Sequence, residues 1–480
     1  MNYKNILSFI EKNKLTIILI IIGILSIIYA LIQYMPYWDE GVYTSNGKYI
    51  FSNTEKLTYE YQRPPVMSLI IGFFWKISLN EFIFSKLTLI IIFLLGLFAL
   101  YKIAEDIKKG SGVITTLLFA SCATISFYTN RLLTSIPGTS LAIIGYYLYT
   151  KKKYYQSGLL FALGFLFRYT SPLMFIVIGI FLVIELIKYH KRKNIFNILK
   201  YGLGFATLVF PFMLINAFTL DLNHSFIKKM IVPFLDASNM VAANSFDLVN
   251  SGLVYYIKFL FTQNLFIVFF IIFIVFLFIK KEFRTNKIII PFITSLVYLL
   301  YLSSIVHYEP RYFIVALPYF AIISGFVITY FLKNIKIRRI LEIVLIVLTV
   351  IVFIGCMQVQ ININYGTEFE KIENYYSYVI NNDSDYNGII GIDNPVFGVY
   401  NSNNNVFYLA GPEYAENRLN KYRPVKYLLF EERSFECWKE NDTVCEKQVE
   451  SFNSLIEKEY DLVYTSNFQG TDHFIYKLKE

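Results

Sequence analysis

A chain of 480 residues that is 56% hydrophobic and 16% charged, with a mean hydropathy of +0.49, is far more apolar than a soluble domain, where about 25% of residues are charged. That composition excludes a wholly soluble enzyme and makes this a membrane protein. The net charge of +9 would suit nucleic acid, but the basic residues gather in short connections between apolar runs, so no nucleic-acid partner is expected.

A membrane span needs about 20 mostly apolar residues. Eleven segments meet that need: 15–35, 82–101, 112–128, 134–150, 156–170, 171–188, 198–219, 259–279, 288–305, 311–332 and 340–360. The first is long and is followed by YMPYWDE instead of a small-residue cleavage site, so it reads as a retained span and not a signal peptide. Basic clusters occupy every second connection: KKG (108–110), KKK (151–153), KYHKRK (188–193), KKEFRTNK (280–287) and KNIKIRR (333–339). By the positive-inside rule the amino terminus, with Lys4, Lys12 and Lys14, is cytoplasmic, and the chain after the eleventh span is extracytoplasmic.

The outer side also receives two long connections, about 36–81 and 220–258, and loops of that kind commonly carry binding groups. Three Asn-x-Ser/Thr sequons, at Asn223, Asn382 and Asn441, fall on the same side. From residue 365 onward the long apolar runs stop, which predicts a polytopic α-helical membrane domain over 1–364 and an extracytoplasmic soluble α/β domain over 365–480. In the latter, helical periodicity over 368–382 is followed by strand-like runs at 388–393, 406–410 and 425–432. A second helix over 446–460 precedes two more strands, DLVYTS and HFIYKLK. Cys122 and Cys356 lie in spans, whereas Cys437 and Cys445 are close enough in the soluble part for a disulfide, with the pairing left open.

The first residues suited to chemistry are Asp39 and Glu40, in YMPYWDEGVY. Ionised carboxylates are costly in hydrocarbon, so the pair belongs at the membrane surface or in a polar cavity. It suits a general base, a divalent metal or the orienting of an acceptor, or else it is an ordinary interfacial pair beside the aromatic belt of Tyr37, Trp38 and Tyr43. In YEYQRPPVMSLI, Arg63 is held extended by the prolines that follow, and residues 66–79 read as a helix at the membrane surface. A guanidinium at headgroup depth suits a phosphate, although it also describes a snorkelling anchor. Arg131, Arg168 (in GLLFALGFLFRYTSPL) and Arg311 (in HYEPRYFIVALPYF, beside His307 and Glu309) are further basic groups at outer helix ends. With the acidic pair, these four arginines make a coherent site for an anionic lipid phosphate. There is no phosphate-binding glycine loop, HExxH, paired CxxC or nucleophile elbow, and four histidines do not suit a polyhistidine metal site.

The order of these features resembles the GT-C glycosyltransferases: Trp38-Asp39-Glu40 after the first span, Arg63-Pro64-Pro65 in the first outer loop, a Gly-rich span from Gly158 to Thr170, and Arg311-Tyr312 before Leu317-Pro318. The branch it is similar to contains the protein O-mannosyltransferases and aminoarabinose transferases, which take sugars from polyprenyl phosphates. That resemblance implies Asp39 as catalytic base with Glu40 beside it, and Arg63 and Arg311 on the lipid phosphate; Arg168 and Arg131 are expected as further phosphate contacts from their place at outer helix ends alone. Its partners would be a polyprenyl-phosphate sugar donor, an extracytoplasmic acceptor and membrane lipid, with no certain cofactor beyond the metal left open above. Many relatives carry a second acidic residue where this chain has Ser135, which shifts the chemistry toward Asp39 and Glu40. A polytopic lipid or polysaccharide transporter is the alternative. The chain shows neither the internal repeat nor the mid-span ionisable residues that would favour it.

Overall fold

The computed structural model describes residues 13–32, 36–52, 60–190, 192–220, 224–239, 246–305, 308–364, 367–386, 388–400, 405–409, 411–435, 437, 442–468 and 470–480. Asn223, His307 and Asn441 lie outside the described residues. In chain order the described residues up to 364 form α1 (Lys14–Ala30), α2 (Trp38–Ser52), α3 (Pro65–Lys76), α4 (Glu81–Ile107), α5 (Gly112–Ala120), α6 (Ala123–Tyr128), α7 (Ser135–Thr150) and α8 (Tyr154–Phe167). The chain continues through α9 (Leu173–Tyr189), α10 (Arg192–Thr219), α11 (Phe226–Asn239), α12 (Phe246–Thr262), α13 (Phe266–Ile279), α14 (Asn286–Ser303), α15 (Leu317–Phe331) and α16 (Ile335–Asn364). Beyond these come α17 (Thr367–Asn382), β1 (Ile389–Ile392), α18 (Phe397–Tyr400), β2 (Asn405–Tyr408), α19 (Pro412–Tyr422), β3 (Val425–Glu431), α20 (Thr443–Glu459), β4 (Tyr460–Phe468) and β5 (Thr471–Leu478).

Two compact units result, and their boundaries do not follow the chain. The first comprises Met1–Leu31, Tyr61–Val66 and Lys86–Met357; the second comprises Ile32–Glu60, Met67–Ser85 and Gln358–Glu480. The second unit therefore adds α2, most of α3 and the start of α4 to the soluble segment expected from residue 365.

The first unit is a helical bundle. Among the described residues, four helices are individually long and apolar enough to cross a membrane, or five if the bent pair α12–α13 counts as one span. Glycine sets the closest approach: a Cβ on Gly158 of α8 would lie 2.1 Å from the Tyr201 carbonyl oxygen, and one on Gly204 of α10 would lie 2.1 Å from that of Tyr155. Small residues at such crossings let helix backbones meet where lipid supplies no hydrophobic drive. The α7–α8 hairpin turns through Lys152, whose φ is +60°, and is pinned by Ser157 Oγ donating to the Gly145 carbonyl at 2.7 Å.

Three expected spans are not single straight helices. Segment 112–128 breaks at Ser121–Cys122 into α5 and α6. Segment 259–279 takes in the end of α12 and all of α13, which bend by 102° through Asn264 and Leu265, both left-handed. Asn264 holds that break because its Nδ2 donates to the Leu118 carbonyl at 2.7 Å and to Ser121 Oγ at 3.0 Å. Segment 311–332 begins with a 3-10 turn, Pro310–Val315, so Arg311 sits in a tight turn ahead of α15.

The second unit is an α/β domain with helices on both sheet faces. Its five strands run in the order β2-β1-β3-β5-β4; β1 is parallel to β2 and β3, and β5 is antiparallel to β3 and β4. One face buries Tyr375 and Val379 of α17 against Ile390 and Ile392. The other buries Leu419 of α19 and Phe452 and Ile456 of α20 against Leu428. The strands and the two longer helices fall where the alternation of apolar residues put them, and Cys437 and Cys445 are disulfide-bonded.

Candidate functional site

Asp39 and Glu40 occupy the first turn of α2, where the exposed amide dipoles of a helix start favour negative charge. Glu40 is 1% exposed, and its Oε2 accepts from the Tyr37 backbone N–H at 2.8 Å. It thus completes half of a capping box, a glutamate three residues into the helix reaching back to the capping amide. Its carboxylate serves the helix start, while Asp39 is only half-buried.

One face of α2 is fitted to the segment that follows β1. Gly41, Ser45 and Lys48 recur at helical spacing. A Cβ on Gly41 would lie 2.6 Å from the Val396 backbone nitrogen, and one on Gly398 would lie 2.1 Å from Ser45 Oγ. Ser45 Oγ donates to the Pro395 carbonyl at 3.2 Å, and Lys48 Nζ donates to the Gly398 carbonyl at 2.9 Å. Lys48 is 3% exposed and pairs with Glu81 at 3.3 Å; burial lowers its pKa against the pull of that carboxylate. Trp38 meets the edge of Tyr408, with centroids 5.8 Å apart. On another face Gly47 abuts the Ser68 carbonyl and Gly72, seating α3. The carboxylate pair is therefore carried on a helix clamped within its own unit.

Near β1, Asp393 is a buried carboxyl at the carboxyl end of the strand, accepting from the Glu431 backbone N–H and Ser434 Oγ. Loss of water outweighs those hydrogen bonds and raises its pKa to about 7.

In the first unit, Arg168 follows the last residue of α8. Its guanidinium donates to Thr170 Oγ1 at 3.1 Å and to Ser135 Oγ at 2.9 Å, and lies 5.2 Å from the centroid of Tyr312. Arg311 forms an ion pair with Glu309, donates to its Oε1 at 3.1 Å, and also lies 5.2 Å from Tyr312. Two expected site arginines thus share one ring. Arg131 lies in the loop before α7, 3% exposed and 5.5 Å from the Phe127 centroid. Arg63 is half-buried, two residues after Tyr61, whose hydroxyl donates to Asp236 at 2.7 Å.

The sequence did not single out Tyr312 or Lys48 as site residues, and it treated Ser135 only as a missing acid. Ser135 is in fact a hydrogen-bond partner of Arg168. The Gly41-Ser45-Lys48 spacing was the legible trace of the α2 contact face. Among the described residues, no group of three or more His, Cys, Asp or Glu side chains is arranged to hold a metal ion.

With that arrangement in view, two solved structures show the same architecture. ArnT from Cupriavidus metallidurans bound to undecaprenyl phosphate matches with a TM-score of 0.69 at 8% identity, over 96% of this chain and 98% of that one. Its apo structure matches with a TM-score of 0.66 at 8% identity, over 97% and 98%. The chain has the GT-C fold. The sequence profile of the dolichyl-phosphate-mannose-protein mannosyltransferase family matches residues 62–215, about a third of the chain. That stretch includes Arg63, Arg131 and Arg168 and excludes Asp39, Glu40 and Arg311. No curated protein sequence matches.

Proposed function

We propose that this protein is a membrane glycosyltransferase that moves a sugar from a polyprenyl-phosphate carrier to an acceptor on the extracytoplasmic face. The observation that carries the reading is the pair Arg168 and Arg311 about Tyr312, two permanent cations at helix ends of a GT-C bundle. The family profile, and the undecaprenyl phosphate bound in the solved ArnT structure, support a polyprenyl phosphate as the ligand class.

In this reading Asp39 takes the proton from the acceptor as the acceptor atom bonds to the anomeric carbon. The bond from that carbon to the phosphate oxygen breaks, and its electron pair leaves with the lipid phosphate, so configuration inverts. The arginines stabilise charge that grows on the departing phosphate, and fixed cations gain strength where water is scarce. Arg63 and Arg131 supply further cationic contacts, and Glu40 holds the turn that carries Asp39. The activated bond resides in the lipid, so no nucleotide is required.

The test is transfer of labelled sugar from a panel of polyprenyl-phosphate sugars by the protein in lipid nanodiscs. Asp39→Asn should lower turnover by about a hundredfold or more, the low end for loss of a general base. Transfer by Asp39→Asn at the wild-type rate would remove Asp39 from this role. A wild type that transfers from no donor but passes lipid across a bilayer would overturn the enzyme reading.

A further inference from the structure

A cavity of about 1090 Å3 opens in the first unit at the start of α8, lined also by residues of α7, α9, α10 and α14. Arg168 follows the opposite end of the same helix, which at 14 residues is about 20 Å away. The cavity is therefore distinct from the Arg168–Tyr312–Arg311 group. Lys152, Lys153, Lys200 and Lys287 line it against one carboxylate, Glu185. Among the described residues, none of these four lysines has an ion-pair partner. The neighbouring Lys151 is by contrast neutralised by Asp106. Neutral hydrogen-bonding groups come from Asn197 and Tyr149.

A volume near the upper end of small-ligand sites, cationic and rich in neutral donors, suits a phosphate-bearing group. The adjoining helix surfaces say what else that ligand carries. Ile187, two residues beyond Glu185 on α9, is 63% exposed; Leu199 and Leu203, flanking Lys200 on α10, are 59% and 62% exposed. Bare aliphatic side chains beside a basic cavity match a molecule with an anionic head and hydrocarbon tails. Clefts of this composition between membrane helices hold anionic headgroups.

We propose that this cavity is a binding site for the phosphate headgroup of an anionic phospholipid, at the end of the bundle opposite Arg168. Its lysines hold the phosphate as point charges, and the α9 and α10 surfaces receive the acyl chains.

The experiment uses the full chain, delipidated in an uncharged detergent and titrated with phosphatidylglycerol or phosphatidylcholine, with bound lipid counted by native mass spectrometry. A variant K152Q/K153Q/K200Q is compared with K280Q/K333Q/K336Q, which removes equal charge from other basic connections. Phosphatidylglycerol affinity should fall about tenfold or more in the first variant and stay within about twofold of wild type in the second. Equal losses in both variants, or equal wild-type affinity for the two lipids, would overturn the site. Glycerol phosphate, which has the head but no tails, should bind far more weakly than the lipid. If it binds as tightly at the same lysines, the ligand is a soluble phosphate and the lipid assignment falls.

Discussion

The two units hold their candidate site residues by opposite means. In the helical bundle, Arg168 and Arg311 are fixed by side chains: a serine hydroxyl, a threonine hydroxyl, a glutamate and the shared ring of Tyr312. In the α/β unit, Asp39 and Glu40 ride on a helix fixed largely by backbone approach, through Gly41 and Gly398, with one buried lysine reaching a carbonyl. Contacts made by side-chain tips yield locally when one is removed. A backbone contact carries the whole helix with it.

Losing the Lys48 ammonium should have the largest effect. Lys48→Met leaves Glu81 without its partner and the Gly398 carbonyl without its donor, and breaking a buried pair commonly costs about 3–5 kcal/mol. The thermal midpoint of the α/β unit should drop, and turnover should fall with it because α2 carries Asp39. A normal melting profile with lost turnover would instead give Lys48 a direct part in chemistry.

Asp393 tests the same unit through pH. Its folded pKa of about 7 lies above the ordinary carboxylate value, so the folded state favours the protonated form. The resulting stability is fully present below about pH 4 and is lost as pH rises through about 7, a change of a few kcal/mol at most. Glu431, also raised, adds a slope of the same sign, and His473, lowered by burial, adds one of the opposite sign. The difference between wild type and Asp393→Asn isolates the Asp393 part: denaturant unfolding should be less pH-dependent in the variant. Identical slopes would mean that Asp393 stays ionised.

The smallest effect belongs to the bundle. Tyr312→Leu removes the ring from two partly exposed guanidinium groups, each such contact being worth about 0.5–1 kcal/mol. Because the hydrogen bonds of Arg168 and Arg311 remain, the apparent KM for the lipid donor should rise by about five- to thirtyfold, with folding unchanged. A loss as deep as that of Asp39→Asn would make Tyr312 part of the reaction.

Much of this was readable in the sequence because hydropathy and periodicity are local signals. The long apolar helices of the bundle and the five strands follow from them. What they could not show was set by distant partners. Asn264 looks like a polar interruption near the start of a long apolar run, yet it bends the chain because its amide reaches the end of α5. Residues 38–52 looked like a loop because their apolar content is low. They are helical because glycine and polar side chains there meet backbone instead of lipid. At the candidate site the arginines were visible as charges near helix ends, while the Ser135 contact needed α7 and α8 to be placed side by side. Hydropathy marked KKK (151–153) as a basic connection, but not that two of its lysines line a cavity.

The α2 contacts have a consequence for how the protein is made. Ser45 and Lys48 bind carbonyls 350 residues further along the chain. At about 5–20 residues per second, α2 leaves the ribosome tens of seconds before its partner segment exists. A nascent chain that already holds residues 1–364 still lacks the surface on which α2 is seated. The seating of α2 is thus deferred to the last quarter of synthesis, and a product cut short before residue 395 would leave this helix without its partner carbonyls.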